Sequence, residues 1–260
     1  MSKLLLIFLF VTLNINPVFA NITEKQLQDY MDYSLGGIML KSHHQELYKK
    51  FISPDDNSKN TLRFKKIINN TKHSYAFENV FKSMNVLSYN KIMEFYNTDI
   101  GRRYIEGRNK IETCGSRAKI RNEFKKLHIP EEKKVLIELI IKAFNLIELK
   151  MKYAIKYFYI YNNGLPKNMQ KSKEELRKYI EIYRLHMEKY QNIISGLMYS
   201  DFTEEELRGV LAYAKTKEGN IEIKLIYKAA TKYMESIMIK IMKELTEMLQ
   251  SNSSCSKEAA

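Results

Sequence analysis

The sequence is short of the residues that break helices, build zinc sites or staple small folds. Its 260 residues include four prolines, nine glycines, two cysteines and no tryptophan. Two cysteines exclude a disulfide-dense mini-protein and a four-cysteine zinc site. The low proline and glycine counts exclude a collagenous or loop-rich protein. A disordered polar chain is also excluded, because 45% of the residues are hydrophobic.

Helix-forming residues dominate what is present, chiefly leucine, isoleucine, lysine, glutamate, methionine and tyrosine. No strand-like alternation between turn signals persists, so we expect an all-α, multi-helix bundle. We expect it to be built from two related helical halves, residues 21–127 and 128–250, followed by a flexible tail at 251–260. The break between the halves is predicted at His128-Ile129-Pro130, since proline suits the first turn of the next helix.

Capping residues and apolar periodicity locate individual helices. Thr23 is a candidate N-cap near the start of the first half, and Thr203 is another in the second half. A long, largely apolar helix is expected from Glu131. Further helices are expected from about Ser172 to Tyr199 and from about Lys217 to Gln250.

The first 20 residues have the pattern of a secretory signal peptide. Lys3 is the only charge, residues 4–15 are apolar, and Val18-Phe19-Ala20 places small residues at the −3 and −1 positions. This apolar stretch is shorter than the roughly 20 residues that a membrane span needs, although an uncleaved anchor is the alternative. We expect cleavage after Ala20 and export to the periplasm or beyond the cell. No later segment is apolar enough to span a bilayer.

Two windows of the sequence align at an offset of 118 residues, 92–101 on 210–219. Thr98 corresponds to Thr216 and Gly101 to Gly219, and the apolar positions match in kind. Each window predicts a helix, a tight break and a second helix whose start the threonine hydroxyl caps. Glycine at the third position of that helix would allow another backbone to come close. Chance similarity between two amphipathic helices is the alternative.

Residues 199–207, together with Tyr213, Thr216 and Gly219, resemble the domain-of-unknown-function 2059 family of exported bacterial helical proteins. That family has an F-T-x-x-E-L start and an F-Y-x-S-P-x-G-x-K hinge. The resemblance covers roughly residues 131–250, with a degenerate copy in the first half. The chain departs from the family hinge at Ala214, Lys217 and Ile221. The resemblance implies export and an α-helical fold, and it implies no established chemistry.

No constellation of residues points to catalysis, a metal or a cofactor. The five histidines are His43, His44, His73, His128 and His186. None lies in a zinc-protease motif or beside a cysteine pair at ligand spacing, so we expect no metal. No nucleophile elbow or phosphate loop is present, and we expect no cofactor. An enzyme whose site residues are dispersed along the chain is the alternative.

Cys114 and Cys255 are the two cysteines of the chain. Export would place them in an oxidising compartment, where a disulfide between them would tie the middle of the chain to its C-terminal tail. Two unpaired thiols are the alternative, because the sequence does not show the distance between the two residues.

The positive charge of the chain is concentrated in one window. The net charge is +13, the leader carries one of these charges, and residues 101–126 carry +6. Three acids lie in the window, and helical spacing allows Glu112 to pair with Arg108. The same spacing allows Glu106 to pair with Arg102 and Lys110.

Arg117, Arg121 and Lys125 recur every four residues in this window with no acid between them. The planar fork of arginine suits phosphate or carboxylate oxygens better than lysine does. The candidate anion-binding residues are therefore Arg117, Arg121, Lys125, Arg102, Arg103 and Arg108. A solvated basic face, or one that acids elsewhere in the fold neutralise, is the alternative.

These features predict an exported, non-catalytic helical binding or accessory protein that acts through a basic face. Its partner would be an anionic lipid or lipopolysaccharide surface, or an acidic protein. Nucleic acid ranks lower as a partner, because export removes the ordinary encounter. An envelope-associated hydrolase with an active site dispersed over both halves is the alternative function.

Overall fold

The computed structural model describes residues 21–34, 36–39, 45, 52, 58–71, 73–114 and 116–255. Over these ranges the chain folds as an all-α, multi-helix bundle, as predicted. Its helices in chain order are α1 (Glu24–Tyr33), α2 (Lys59–Asn70), α3 (His73–Phe81), α4 (Val86–Asn97), α5 (Asp99–Thr113), α6 (Arg117–Lys125), α7 (Glu131–Ala143), α8 (Leu146–Gly164), α9 (Lys173–Met198), α10 (Glu204–Lys215) and α11 (Lys217–Cys255). The leader at 1–20 and the last five residues lie outside these ranges.

Capping boxes fix the start of three of the described helices. Thr23, Ser172 and Thr203 each form a capping box with the third residue of the helix that follows. The hydroxyl accepts a hydrogen bond from the backbone N–H of that third residue, whose own side chain accepts one from the N-cap N–H. Two otherwise unpaired donors are satisfied in each box, and the predicted N-caps Thr23 and Thr203 are confirmed.

The long helix predicted from Glu131 is in fact two helices. α7 ends at Ala143 and α8 begins at Leu146, because Asn145 between them adopts the left-handed conformation, with a φ of 53°. Asparagine tolerates this conformation better than most residues do. Apolar side chains keep their helical spacing through the break, so periodicity alone does not reveal it.

Two other boundaries bear on the predicted organisation. α6 ends at Lys125 and α7 begins at Glu131, so the chain breaks around His128-Ile129-Pro130 as predicted. α11 continues to Cys255, which makes the first residues of the predicted flexible tail helical. No helix in the described part of the chain is both long and apolar enough to cross a membrane, as predicted. The division into two complete halves stays a prediction.

The two windows of the sequence repeat begin with matching helices. α4 and α10 each have 12 residues and end just before Thr98 and Thr216 respectively. Their N-caps, Asn85 and Thr203, are also equivalent at the offset of 118, and both accept a hydrogen bond from the third N–H of the helix. The equivalence therefore extends over the whole first helix of each window, beyond the aligned residues.

Thr98 and Thr216 form hinges of the same geometry. Each hydroxyl accepts a hydrogen bond at 3.0 Å from the N–H of Gly101 or Gly219. Each also donates one at 2.7 Å to the carbonyl oxygen three residues earlier. A Cβ on either glycine would overlap a carbonyl oxygen of the preceding helix. Glycine thus permits the close approach of another backbone that the sequence predicted.

We call residues 85–104 and the equivalent residues 203–222 the two hinge units, and these units contact each other reciprocally. The rings of the equivalent residues Phe95 and Tyr213 stack, with centroids 3.7 Å apart and an interplanar angle of 1°. Lys91 of the first unit forms an ion pair with Glu218 of the second at 3.7 Å. Gly209 is the equivalent of Lys91 in the second unit, and Ile100 is the equivalent of Glu218 in the first. Gly209 and Ile100 also lie against each other. Reciprocal contacts of this kind are those that a local twofold relation produces.

Most buried side chains belong to one central cluster, to which the hinge units, α7 and α9 all contribute. The distal part of α11 extends away from this cluster and is buried on two faces. The face toward α2 carries Tyr233, Ile237 and Ile241. The face toward α8 carries Met234, Met238 and Met242. The long final helix therefore joins the central core to two smaller ones.

Candidate functional site

The interior of the bundle contains a carboxylate bound by three tyrosines. Oε1 of Glu222 accepts hydrogen bonds at 2.7 Å from the hydroxyls of both Tyr30 and Tyr96. Oε2 accepts a third, at 2.6 Å, from the hydroxyl of Tyr213. The four residues come from α1, α4, α10 and α11. Within the described ranges, no lysine or arginine forms an ion pair with Glu222. We call these residues the Glu222 cluster.

The electrostatics of the Glu222 cluster follow from its burial. Glu222 is 2% exposed. Burial raises the pKa of this carboxyl group, while the hydrogen bonds from Tyr213, Tyr96 and Tyr30 act in the opposite direction. Burial also raises the pKa of each of the three tyrosines, and the negative charge of Glu222 raises it further. The cluster holds four helices together, but its carboxylate is enclosed, which does not suit it to act on a solute.

The sequence alone does not reveal the Glu222 cluster, although α11 contains a signal. Glu222 lies on the helical face that Gly219, Ile226 and Tyr233 also share, at intervals of three, four and seven residues. An acid in such an apolar face needs buried partners. The sequence offers no way to choose those partners, because Tyr30 and Tyr96 lie 192 and 126 residues away along the chain.

Arg108 faces the interior beside a second group of tyrosines. Its side chain is 18% exposed and forms the predicted ion pair with Glu112. Burial raises the pKa of Tyr104, Tyr199 and Tyr227, and the positive charge of Arg108 opposes that rise. Arg108 therefore contributes its charge to the core and to Glu112.

Arg102 and Lys110 also have acidic partners, but neither partner is the predicted Glu106. Arg102 pairs with Asp99 and donates to the carbonyl oxygen of Asn97 at 2.6 Å. Lys110 pairs with Asp201 at 2.7 Å, in the segment between α9 and α10. The hydrogen bond from Lys110 lowers the pKa of the Asp201 carboxyl group.

Arg103 reaches the same segment between α9 and α10. Its Nε lies 3.1 Å from a carboxylate oxygen of Glu206, and one of its terminal nitrogens donates to the carbonyl oxygen of Asp201 at 2.7 Å. Its guanidinium also lies over the ring of Phe202, 5.3 Å from the centroid. Arg103 thus connects α5 to the start of α10.

The three remaining candidates, Arg117, Arg121 and Lys125, lie on α6 and are all exposed. The guanidinium carbons of Arg117 and Arg121 lie 5.4 and 6.0 Å from the ring centroid of Tyr190 on α9. Both arginines can therefore interact with the π-electrons of one ring. In the described part of the chain, neither Arg121 nor Lys125 forms an ion pair. We call Arg117, Arg121 and Lys125 the α6 basic face.

The other predicted site residues lie outside the Glu222 cluster and the α6 basic face, except that Gly219 shares a helical face with Glu222. Thr98, Gly101, Thr216 and Gly219 form the hinges described above. Cys114 is half-buried and forms no disulfide with a side chain that the structure describes. The side chain of its predicted partner at the end of α11 lies outside the described residues, and so do His43 and His44. In the portion that is described, no group of histidine, cysteine and acidic side chains is arranged to hold a metal ion.

Comparison of the chain with family models, curated proteins and solved structures finds no match. The resemblance to the domain-of-unknown-function 2059 family therefore stays a prediction.

Proposed function

We propose that this chain is an exported, non-catalytic helical binding protein that takes anionic groups at the α6 basic face. The observation that carries the proposal is the convergence of Arg117 and Arg121 on Tyr190. Stacking on a ring occupies the face of a guanidinium group, whereas phosphate and carboxylate oxygens bind its N–H edge. Contact with a shared ring therefore orients both arginines through the faces of their guanidinium groups rather than through the N–H edges.

The pairing of the other candidates narrows the proposed site. Arg102, Arg103 and Arg108 each pair with an acid, namely Asp99, Glu206 and Glu112. An incoming anion would have to displace those acids. Among the described side chains Arg121 and Lys125 form no ion pair, so the proposed site lies on α6 around these two residues.

The hydrolase alternative has no comparable observation in its favour. Glu222 is the described acid whose pKa burial raises, and three tyrosines enclose it. A carboxylate at 2% exposure does not meet a substrate.

Binding of a soluble polyanion tests the proposed site. We expect the mature chain to bind inorganic polyphosphate and to lose affinity as salt is added, because exposed charges are screened. Arg117→Glu plus Arg121→Glu should weaken binding at least about tenfold, since it reverses two of the three charges. Isothermal titration calorimetry measures the affinity, and circular dichroism checks that the variant is folded.

A matched control separates the site from net charge. Lys65→Glu plus Lys66→Glu makes the same change in charge on exposed residues of α2. This variant should bind polyphosphate nearly as well as the parent chain. Equal losses in the two variants, or no loss in the α6 variant, would show that the α6 basic face is not a binding site.

Export is the part of the proposal that concerns localisation. Its support is the pattern of Lys3, the apolar stretch and the small residues before Ala20. Cleavage there would keep the hydrogen bond that Ile22 donates to the carbonyl oxygen of Met84 at 3.2 Å, because both residues lie after the cut. N-terminal sequencing of the secreted chain should begin at Asn21.

The proposed Cys114–Cys255 bridge should appear as a mass change on reduction.

A further inference from the structure

Helix α9 carries large apolar side chains that face solvent. Tyr179, Ile182 and Leu185 are 49%, 55% and 62% exposed. They recur every three residues, and successive members are rotated by about 60° around the helix, so the three lie on one side of it. Single exposed apolar residues are ordinary, but a row on one side of a helix marks an interaction surface. We call these three residues the α9 apolar row.

The described contacts between α9 and α8 lie at one edge of the α9 apolar row, at Tyr179. α8 packs on the adjoining side, where the ring of Phe158 meets Tyr179 and Tyr183 edge-on, with centroids 5.2 and 5.0 Å apart. Arg184 of α9 also pairs with Glu148 of α8. These contacts fix α9 in the bundle while the apolar row stays exposed beside them.

The α9 apolar row adjoins the α6 basic face. Tyr190, which lies under Arg117 and Arg121, is eight residues beyond Ile182 on the same helix. Eight residues correspond to about 12 Å along the axis and about 80° of rotation. By the same geometry Leu185 is about 140° from Tyr190, so the arginines lie toward the Ile182 side of the row and Leu185 lies farther around the helix. We call the α9 apolar row and the α6 basic face together the combined region.

We propose that this combined region binds the surface of a lipid bilayer that contains anionic lipids. The α6 basic face would contact the headgroups, and Ile182 and Leu185 would enter the boundary between headgroups and acyl chains. The inference rests on the proposed function and names its partner. Basic and apolar side chains on one face are the two features that interfacial membrane binding combines.

Charge complementarity selects this occupant over a second copy of the chain. A second copy of the chain carries the same net charge of +13, so its approach to the α6 basic face is opposed by repulsion between like charges. An anionic bilayer offers negative charge and an apolar layer beneath it, so it satisfies both parts of the region at once.

The first test uses the absence of tryptophan from the chain. Leu185→Trp introduces a single indole at the apolar row, and Ile239→Trp places one at another exposed position, on α11. With vesicles of phosphatidylcholine and phosphatidylglycerol, the emission of the first should shift to the blue and be quenched by brominated lipid. The emission of the second should not change. An unshifted emission at position 185 while the chain sediments with the vesicles overturns the inference.

The second test removes the apolar contacts and keeps the charge. Ile182→Gln plus Leu185→Gln should weaken sedimentation with mixed phosphatidylcholine and phosphatidylglycerol vesicles at least about tenfold, because two aliphatic side chains lose their burial. Polyphosphate binding should not change. The control, Leu62→Gln plus Ile239→Gln, makes the same substitutions at exposed positions of α2 and α11 and should behave as the parent chain.

The outcomes separate the inference from the proposed function. If the glutamine variant of α9 binds vesicles as well as the parent chain while the Arg117→Glu plus Arg121→Glu variant does not, the membrane inference is wrong and the anion site stands. Binding of polyphosphate without any binding to anionic vesicles has the same meaning and points to a soluble acidic partner. If the charge-reversed variant still binds polyphosphate normally, the proposed function itself is wrong.

Discussion

The two hinge units have the same backbone and different interiors. Thr98 and Thr216 make equivalent hydrogen bonds at equal distances, and the helices that precede them have equal lengths. Three residues beyond each hinge glycine, Tyr104 of the first unit corresponds to Glu222 of the second. The backbone motif thus tolerates either an aromatic ring or a carboxylate at the same interior position, provided that the surrounding side chains satisfy it.

The largest expected difference between the two units comes from removing the side chain at this interior position of the second unit. Glu222→Ala would leave the hydroxyls of Tyr30, Tyr96 and Tyr213 buried without their acceptor. An unsatisfied buried donor costs about 1–3 kcal/mol, so we expect a loss of at least about 3 kcal/mol in the free energy of unfolding. Urea unfolding measures it.

The comparison in the first unit is the loss of a single hydroxyl at the corresponding position. Tyr104→Phe removes only a hydroxyl at the corresponding position and should cost about 1 kcal/mol. A loss in Glu222→Ala no larger than that in Tyr104→Phe would mean that the Glu222 cluster does not hold the bundle together.

A smaller difference concerns pH, to which only the second unit should respond at this position. Burial raises the pKa of Glu222, so the folded state keeps its proton to higher pH than the unfolded state does. Stability from this group is complete below the unfolded pKa of about 4.5 and falls as pH rises through the raised folded pKa. Glu222→Gln has nearly the same shape and no titration.

The difference in unfolding free energy between the parent chain and Glu222→Gln isolates this group. It should favour the parent chain most at acid pH and shift steadily toward the glutamine variant as pH rises from about 4.5. Urea unfolding over a pH series measures it, with Tyr104→Phe as a variant that should show no such trend. A difference that stays constant with pH would show that Glu222 titrates alike in both states.

The smallest expected effects should be equal in the two units. Thr98→Ala and Thr216→Ala each remove a helix cap and should each cost about 1 kcal/mol. Because Phe95 and Tyr213, whose carbonyls the two hydroxyls contact, also stack on each other, the double variant should depart from the sum of the single ones. Thermal unfolding of the three variants checks both points. Clearly unequal single costs would break the equivalence of the hinges.

The sequence supplied most of the local structure. Capping residues such as Thr23 and Thr203 act through bonds three residues away, and the hinge threonines do the same, so short-range spacing predicts them. The break at Asn145 was not predicted, because the apolar residues around it keep helical spacing while one residue changes conformation.

Contacts between distant segments account for what the sequence did not predict. Helical spacing assigned Lys110 to Glu106, but the fold brings Asp201 to it from 91 residues away. The Glu222 cluster likewise gathers tyrosines from three other helices. For the basic window, the sequence located the charge, and only the fold shows that Arg102, Arg103 and Arg108 are paired while α6 remains the candidate site.

The long reach of α11 has a consequence for how the chain folds. Its distal part packs on α2, where Arg63 pairs with Glu244 at 2.6 Å and Lys240 donates to Thr71 at 3.1 Å. The first of these pairs joins residues 181 positions apart. At a synthesis rate of about 5–20 residues per second, the apolar face of α2 waits roughly 10 to 35 seconds for its partner. Such non-local contacts form late and slowly, so a truncated or nascent chain exposes that face to other molecules.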